Sequence, residues 1–421
     1  MGPCAERPGH PGAPRILASM FSGRLKWPFP PNRLARLLEE KRARGADRLD
    51  LTESNPTRAG LSYPGEAIAA ALANSGVAFY EPSPRGLEEA RVAVAAYCAG
   101  RGRPVSPDDI VLTASTSEAY AILFKLLGDP GDAVLVPRPS YPLFDYLAAL
   151  EGLRVVTYSL AYDDRWSIDL ESMERSLDAR GTAPPRAVIV VNPNNPTGSA
   201  LRRGERERLH EICGRHGAAL IADEVFFDFL DPQAVEEAAR SGDPIVPSEQ
   251  GSNALTFSLG GLSKACGMPQ VKLGWIVVSG PDRRVREALE RIDLIADTYL
   301  SVGTPVMRAA PRLFEIGAGI RSAIMQRLEG NLRILMERTR AGSSSCRVLD
   351  RDGGWYAVLQ VPAVIPEEEL VLALLAEDDV LVHPGYFFDF PREAYLVLSL
   401  LPDSAMFDEA LRRILARLDR G

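Results

Sequence analysis

The chain has 421 residues, enough for about two to three domains that each bury a core. Its 48 Lys and Arg against 56 Asp and Glu give a net charge of −8, and no polybasic run stands out, so it lacks the cationic face a general nucleic-acid binder needs. No apolar run is long enough to span a bilayer, and the five cysteines (Cys4, Cys98, Cys213, Cys266, Cys346) are odd in number, scattered and without a Cys-x-x-Cys pair.

That cysteine usage fits free thiols in a reducing cytoplasm, and four histidines without ligand spacing argue against a metal enzyme. Residues 1–19 are rich in Pro and Gly and have no apolar signal-peptide core, so they read as a disordered tail. Ordered-looking sequence begins just after Met20, a candidate translation start. A helix is expected over 33–44, with no core of its own.

From about residue 108 to 279, short apolar β-type runs alternate with helical patterns. The strand candidates are 110–112, 133–136, 154–158, 187–191, 219–222, 255–258 and 273–278, with amphipathic segments such as 118–127 and 205–216 between them. Continuous apolar strands alternating with helices predict a mostly parallel α/β sheet covered on both faces. Residues 231–251, with Pro, Gly and Ser and no clear period, read as a surface insertion. Long helices follow over 283–339, then strand-like 355–361, 380–382 and 395–400 and a closing helix from 408. The expected division is a tail (1–19), an N-terminal arm contributing to a small domain (20–62), a large domain (63–300) and a small C-terminal α+β domain (301–421).

Three segments lie where open α/β sheets bind ligands, at the ends of predicted strands. They are Asn192-Pro193-Asn194-Asn195-Pro196-Thr197-Gly198, Asp223-Glu224, and Gly260-Gly261-Leu262-Ser263-Lys264 with Gly267-Met268-Pro269 beyond. Each alone is an ordinary turn, helix cap or surface lysine; their joint occurrence in this order is specific. With Tyr80, Gly86-Leu87, Arg91, Asp129-Pro130-Gly131-Asp132, Pro139-Ser140-Tyr141-Pro142, Gly353-Gly354 and Pro384-Gly385, the chain resembles the class I/II aminotransferases, pyridoxal-phosphate enzymes of fold type I, over some nine-tenths of its length.

The resemblance implies a large domain with a mixed, mostly parallel seven-stranded sheet and a smaller α+β domain built from both chain ends. It implies pyridoxal 5'-phosphate held by Lys264 as a Schiff base. Such a lysine needs an amine pKa lowered by desolvation and nearby positive charge, and once freed it is a natural general base at the substrate Cα. Asp223 would face the pyridine nitrogen and keep the ring protonated, Asn195 would donate to the phenolic oxygen, and Tyr141 would stack on the ring. The phosphate would sit where 113–117, including Ser115 and Thr116, opens the helix from Glu118, a ready anion site. Phe226, Ser263 and Lys272 complete the expected cofactor contacts. Tyr80 and Thr304 would reach the phosphate of a neighbouring subunit, implying a homodimer with shared sites.

Four positions depart from the family. Lys272 stands where an arginine clamps the phosphate and lacks its bidentate fork. Gly261 stands where a phosphate-binding serine is common, and Phe226 replaces a tyrosine that touches the phenolic oxygen. Val397 stands where the family places the arginine for the substrate's α-carboxylate, a charge-assisted contact of about 1.5–3 kcal/mol. Arg58 and Arg392 are candidate replacements. His383, before Pro384-Gly385, reads as a loop histidine, and Trp27 as a residue of the N-terminal arm or the substrate entrance.

The expected function is a cytoplasmic ping-pong transaminase, moving an amino group from an amino acid to a 2-oxo acid. Apolar Phe226, Phe387 and Trp27 and the lack of a second cationic clamp favour neutral, alanine-like donors. The missing arginine keeps open a lyase, a decarboxylase or an amine transaminase; a separate alternative is a binding or regulatory module that keeps the fold without turnover.

Overall fold

The computed structural model describes residues 20–25, 32–73, 75–178, 183–249, 253–341 and 346–420. The tail 1–19 and Trp27 lie outside these. The centre is an eight-stranded sheet of β1 (Ile110–Thr113), β2 (Ala133–Arg138), β3 (Arg154–Asp163), β4 (Arg165–Ile168), β5 (Ala187–Val191), β6 (Ala219–Asp223), β7 (Thr256–Gly261) and β8 (Gly274–Ser279). The strand order is β1-β8-β7-β6-β5-β2-β3-β4. Strands β3, β2, β5, β6 and β7 pair in parallel; β8 runs antiparallel between β7 and β1, and β4 folds back on β3.

Seven strands were expected and eight are found. The extra one, β4, forms because Asp164 takes a left-handed φ of 55° and turns the chain back, and it buries Trp166. Short polar-apolar Arg165–Ile168 carries little of the apolar signal that marks the other strands.

Alternation along each strand sorts the core into two layers. Val134, Val136, Ile189, Ile221, Phe257, Ile276 and Val278 pack on one face beneath the helices Thr116–Leu127, Leu143–Leu150 and Asp282–Tyr299. Leu135, Val188, Val190, Leu220, Ala222 and Val277 face the other way. Burial on both faces is why these strands read as unbroken apolar runs.

The long helices appear as Asp282–Tyr299 and Thr304–Ala341. A second sheet is built from Arg347–Val348 (β9), Tyr356–Gln360 (β10), His383–Pro384 (β11) and Tyr395–Ser399 (β12), in the order β9-β10-β12-β11. The N-terminal helix Arg33–Ala43, capped by Asn32, joins this C-terminal unit: Arg33 pairs with Glu368 and Glu369, and Leu49–Asp50 forms a parallel ladder with Val380–Leu381.

The stretch 231–251 is not a plain insertion. Asp231 caps a helix, Pro232–Arg240, and Val246, Ser248 and Glu249 are buried beyond it. Pro232 sits in the first turn, where a missing N–H costs nothing, so it starts the helix instead of breaking it. No helix among the described residues is long and apolar enough to cross a membrane.

Candidate active site

The carboxyl ends of four strands converge. Register pairs Val191 with Asp223, Asp223 with Leu259, Gly261 with Gly274, and Gly274 with Thr113. Asp223, the Gly261–Lys264 segment and the Thr113–Ser117 turn therefore open on one edge. Gly274 lies where they meet, with little room for a side chain: a Cβ there would come within 3.1 Å of the Ser115 carbonyl carbon and 3.0 Å of Thr113 Oγ1.

Ser115 caps the helix Thr116–Leu127, its Oγ accepting from the Glu118 amide at 3.2 Å. That leaves the first-turn amides of Thr116 and Ser117 unsatisfied within the helix, facing the same edge. Ser263 is half-buried at the mouth of the short helix Leu262–Ala265. Lys272 is exposed, with a left-handed φ of 61°, two residues before Gly274.

Lys264 makes no hydrogen bond or ion pair among the described residues. Its Nζ lies 4.5 Å from the centre of the Trp355 ring and 5.5 Å from that of Phe226, and burial lowers its pKa to about 8 against the attraction of Asp223. A mostly neutral amine at mildly alkaline pH is a nucleophile and base. Burial pushes Asp223 up to about 6, opposed by donation from the Val225 amide and the Tyr120 hydroxyl, each at 3.3 Å, and by Lys264.

The loop after β5 is held rigidly. Asn194 Nδ2 donates to Pro139 O and Thr197 Oγ1, and Ser140 Oγ donates to Asn194 Oδ1. Gly198 has φ +72° and its Cβ would stand 2.5 Å from Gly353 O, so only glycine fits. Asn195 is buried, and its Oδ1 has no partner. An orphaned buried amide oxygen, a half-buried amine without a hydrogen bond and a half-buried carboxylate around one edge beside a helix N-terminus have the polarity of a phosphate ester with a carbonyl and a ring nitrogen. Pyridoxal phosphate fits that donor set.

Tyr141 follows cis Pro139 on the loop after β2 and is 45% exposed. Phe226 packs edge-on against Trp355. Tyr80 is 72% exposed and lines, with Thr304 and Tyr299, a shallow surface groove. This groove abuts the anion cup, since Ser301 Oγ donates to Glu118 Oε2 at 2.7 Å. Within one chain neither Tyr80 nor Thr304 hydrogen-bonds to the cup.

Val397 is fully buried in β12, between Val358 of β10 and His383 of β11. His383 is a strand residue and not a loop one, its imidazole pushed down to about 4 by burial, so this row carries no cation near neutrality. Arg58 and Arg392 are exposed.

Sequence reasoning missed Tyr120, Trp355 and Arg103. Tyr120 and Trp355 look like core aromatics. Arg103 pairs with Glu224 and Glu249 from distant segments, a contact no local pattern announces.

Residues 46–414 match the family described as Aminotransferase class I and II. The chain is 25% identical to glutamate-pyruvate aminotransferase AlaA of Haemophilus influenzae, over 91% of this chain and 93% of that one. It is 29% identical to an alanine aminotransferase of Mycobacterium bovis, over 73% and 70%. An aminotransferase from Mycobacterium tuberculosis has the same fold, with a TM-score of 0.80 at 24% identity over 96% of this chain and 100% of that one. An alanine aminotransferase from Pyrococcus furiosus superposes with a TM-score of 0.78 at 24% identity, over 92% and 96%. With its motifs, its sheet and nine-tenths of its length in agreement, this chain belongs to the class I and II aminotransferases.

Proposed function

We propose that the chain is a pyridoxal-phosphate-dependent aminotransferase that moves the amino group of a neutral, alanine-like amino acid to a 2-oxo acid, working as a homodimer. The single observation that carries this reading is the Lys264 amine, with no hydrogen bond or ion pair among the described residues and a pKa lowered by burial, near the half-buried Asp223 carboxyl. When bound, the cofactor supplies an electron sink for the pair released at the substrate Cα.

The remaining work falls to the chain's own groups. Lys264 would hold the cofactor and, once free of it, would carry the proton at the substrate Cα as general base and acid. Asp223 holds the ring-nitrogen proton, and Asn195 orients the phenolic oxygen. The amides of Thr116 and Ser117, with Ser263 and Lys272, hold the phosphate. Tyr141 covers the ring, and Phe226 and Trp355 keep water from the amine. Tyr80 and Thr304, which share a surface groove beside the cup, would complete a neighbouring subunit's phosphate site. The relatives named as alanine and glutamate-pyruvate aminotransferases support the substrate class.

One observation favours a second reading. The row Val358–Val397–His383 offers a substrate carboxylate no cation, which suits an amine donor without that carboxylate. Protein loaded with pyridoxal phosphate, mixed with single amino donors, decides between them. Formation of pyridoxamine phosphate with one equivalent of 2-oxo acid from alanine supports the first reading. Conversion by simple amines alone supports the second, and release of ammonia or carbon dioxide refutes both.

A further inference from the structure

We propose that Tyr120 is a positioning residue for Asp223: its hydroxyl holds the carboxylate in the orientation and charge state that keep a proton on the cofactor's ring nitrogen. The inference rests on the proposed binding of pyridoxal phosphate. It begins with an accounting of hydrogen bonds. Tyr120 is 3% exposed, and a phenol that deep needs a partner. Its partner is Asp223 Oδ2 at 3.3 Å, while Asp223 Oδ1 accepts from the Val225 amide at 3.3 Å. Each carboxylate oxygen thus has one protein donor, one from each side.

The tyrosine has no freedom to turn away. Phe144 meets its ring edge-on at 5.5 Å and Phe124 lies tilted against it at 5.7 Å. Its helix places it further: Tyr120 is four residues after Thr116, so it follows the anion cup by one turn on the same side. One helix therefore addresses both ends of the cofactor, with the phosphate at its N-terminus and the ring nitrogen through Tyr120 and Asp223.

Charge acts in the same direction. Burial alone pushes Asp223 towards its neutral form, and a neutral carboxyl would leave the ring nitrogen without a counter-charge. A hydroxyl donating to the carboxylate lowers that group's hold on a proton, so the proton shared between carboxylate and ring nitrogen lies on the nitrogen. A core tyrosine satisfied by a convenient acceptor would have none of these consequences for the cofactor.

Tyr120→Phe removes one oxygen and no volume that matters to packing. In holoenzyme carrying cofactor 15N-labelled at the ring nitrogen, the wild type shows a protonated shift, and Tyr120→Phe moves it towards the unprotonated value. The dissociation constant for pyridoxal phosphate rises about tenfold, the scale of one hydrogen bond to a charged group. In an Asp223→Ala background the same substitution changes that constant by less than twofold, because Tyr120 acts only through Asp223. The thermal midpoint of the cofactor-free protein separates this from loss of fold. An unchanged 15N shift, or an equal loss of affinity with Asp223 absent, overturns the role of Tyr120 alone. A wild-type protein that binds no pyridoxal phosphate overturns the site assignment and this inference together.

Discussion

Arg103→Leu removes the cation from between two buried carboxylates. The Arg103 side chain is 12% exposed, Glu224 1% and Glu249 6%. Its Nε donates to Glu249 Oε1 at 2.6 Å, and its Nη2 is shared between Glu249 Oε2 and Glu224 Oε2. Glu224 Oε1 also accepts from Asn192 Nδ2, the Ser248 amide and Ser248 Oγ, each at 3.0 Å. Those donors remain in the variant, so the loss is that of the charge. Removing one partner of a buried ion pair costs about 3–5 kcal/mol.

The pH dependence of that loss tests the cause. Burial already holds Glu224 at about 7 in the presence of Arg103, above its ordinary 4.5, and removing the cation raises it further. The folded protein then binds a proton more tightly than the unfolded chain, so stability falls as pH rises from about 4.5 through 7 and beyond. Urea unfolding should show the larger loss at pH 8 and a smaller one at pH 5.5, where Glu224 carries a proton in parent and variant alike. A loss under 1 kcal/mol at pH 8, or the same loss at both pH values, would refute the reasoning.

Other consequences follow from the same geometry. Because burial lowers Lys264 to about 8, borohydride-trappable incorporation of pyridoxal phosphate should rise with pH and level off above about 8, and Lys264→Ala should abolish it. Incorporation still rising near pH 10 would contradict a desolvated amine. Gly274→Ala places a methyl 3.1 Å from the Ser115 carbonyl carbon and should weaken cofactor binding at least about tenfold, measured by fluorescence titration. Val397→Arg puts an unpaired charge in a fully buried row and should lower stability in urea by about 3 kcal/mol or more. A variant as stable as its parent would show that the row opens on a polar pocket.

The parallel strands were legible because each buries both faces, so nothing polar interrupts them. Strand β4 was not, because its partner is a hairpin arm and its pattern mixes Arg165 and Ser167 with Trp166 and Ile168. The helix after Asp231 was hidden by a proline whose meaning depends on where the helix starts. Beyond it, Ser248 and Glu249 looked like loop residues, although they bury a polar cluster whose other members, Arg103 and Glu224, lie far away in sequence. The site divides in the same way. The Asn195 loop, Asp223 and Lys264 each sit in short motifs whose order in the chain resembles the family's signature. Tyr120 occupies an ordinary apolar position of an amphipathic helix and becomes distinctive only when Asp223 is placed against it.

Val397 belongs to neither group, since it was noticed for the residue it is not. The structure makes that departure more demanding. A short side chain at the rim could leave room for a guanidinium from another strand. Here, instead, Val358 and His383 flank Val397 in the same row, and burial keeps the imidazole neutral. On the same face, Tyr356 faces Ser399, and Ser399 Oγ donates to Glu53 O, so the neighbouring contacts are hydroxyl and carbonyl ones. A carboxylate brought against this wall would lose its water and gain no charge. An amino acid substrate must therefore turn its carboxylate towards a cation outside β12, and a substrate that uses this wall must present something apolar to it. Under the proposed function the chemistry of Lys264 is the same in either case, and the lack of a cation beside Val397 bears only on which substrate it would receive.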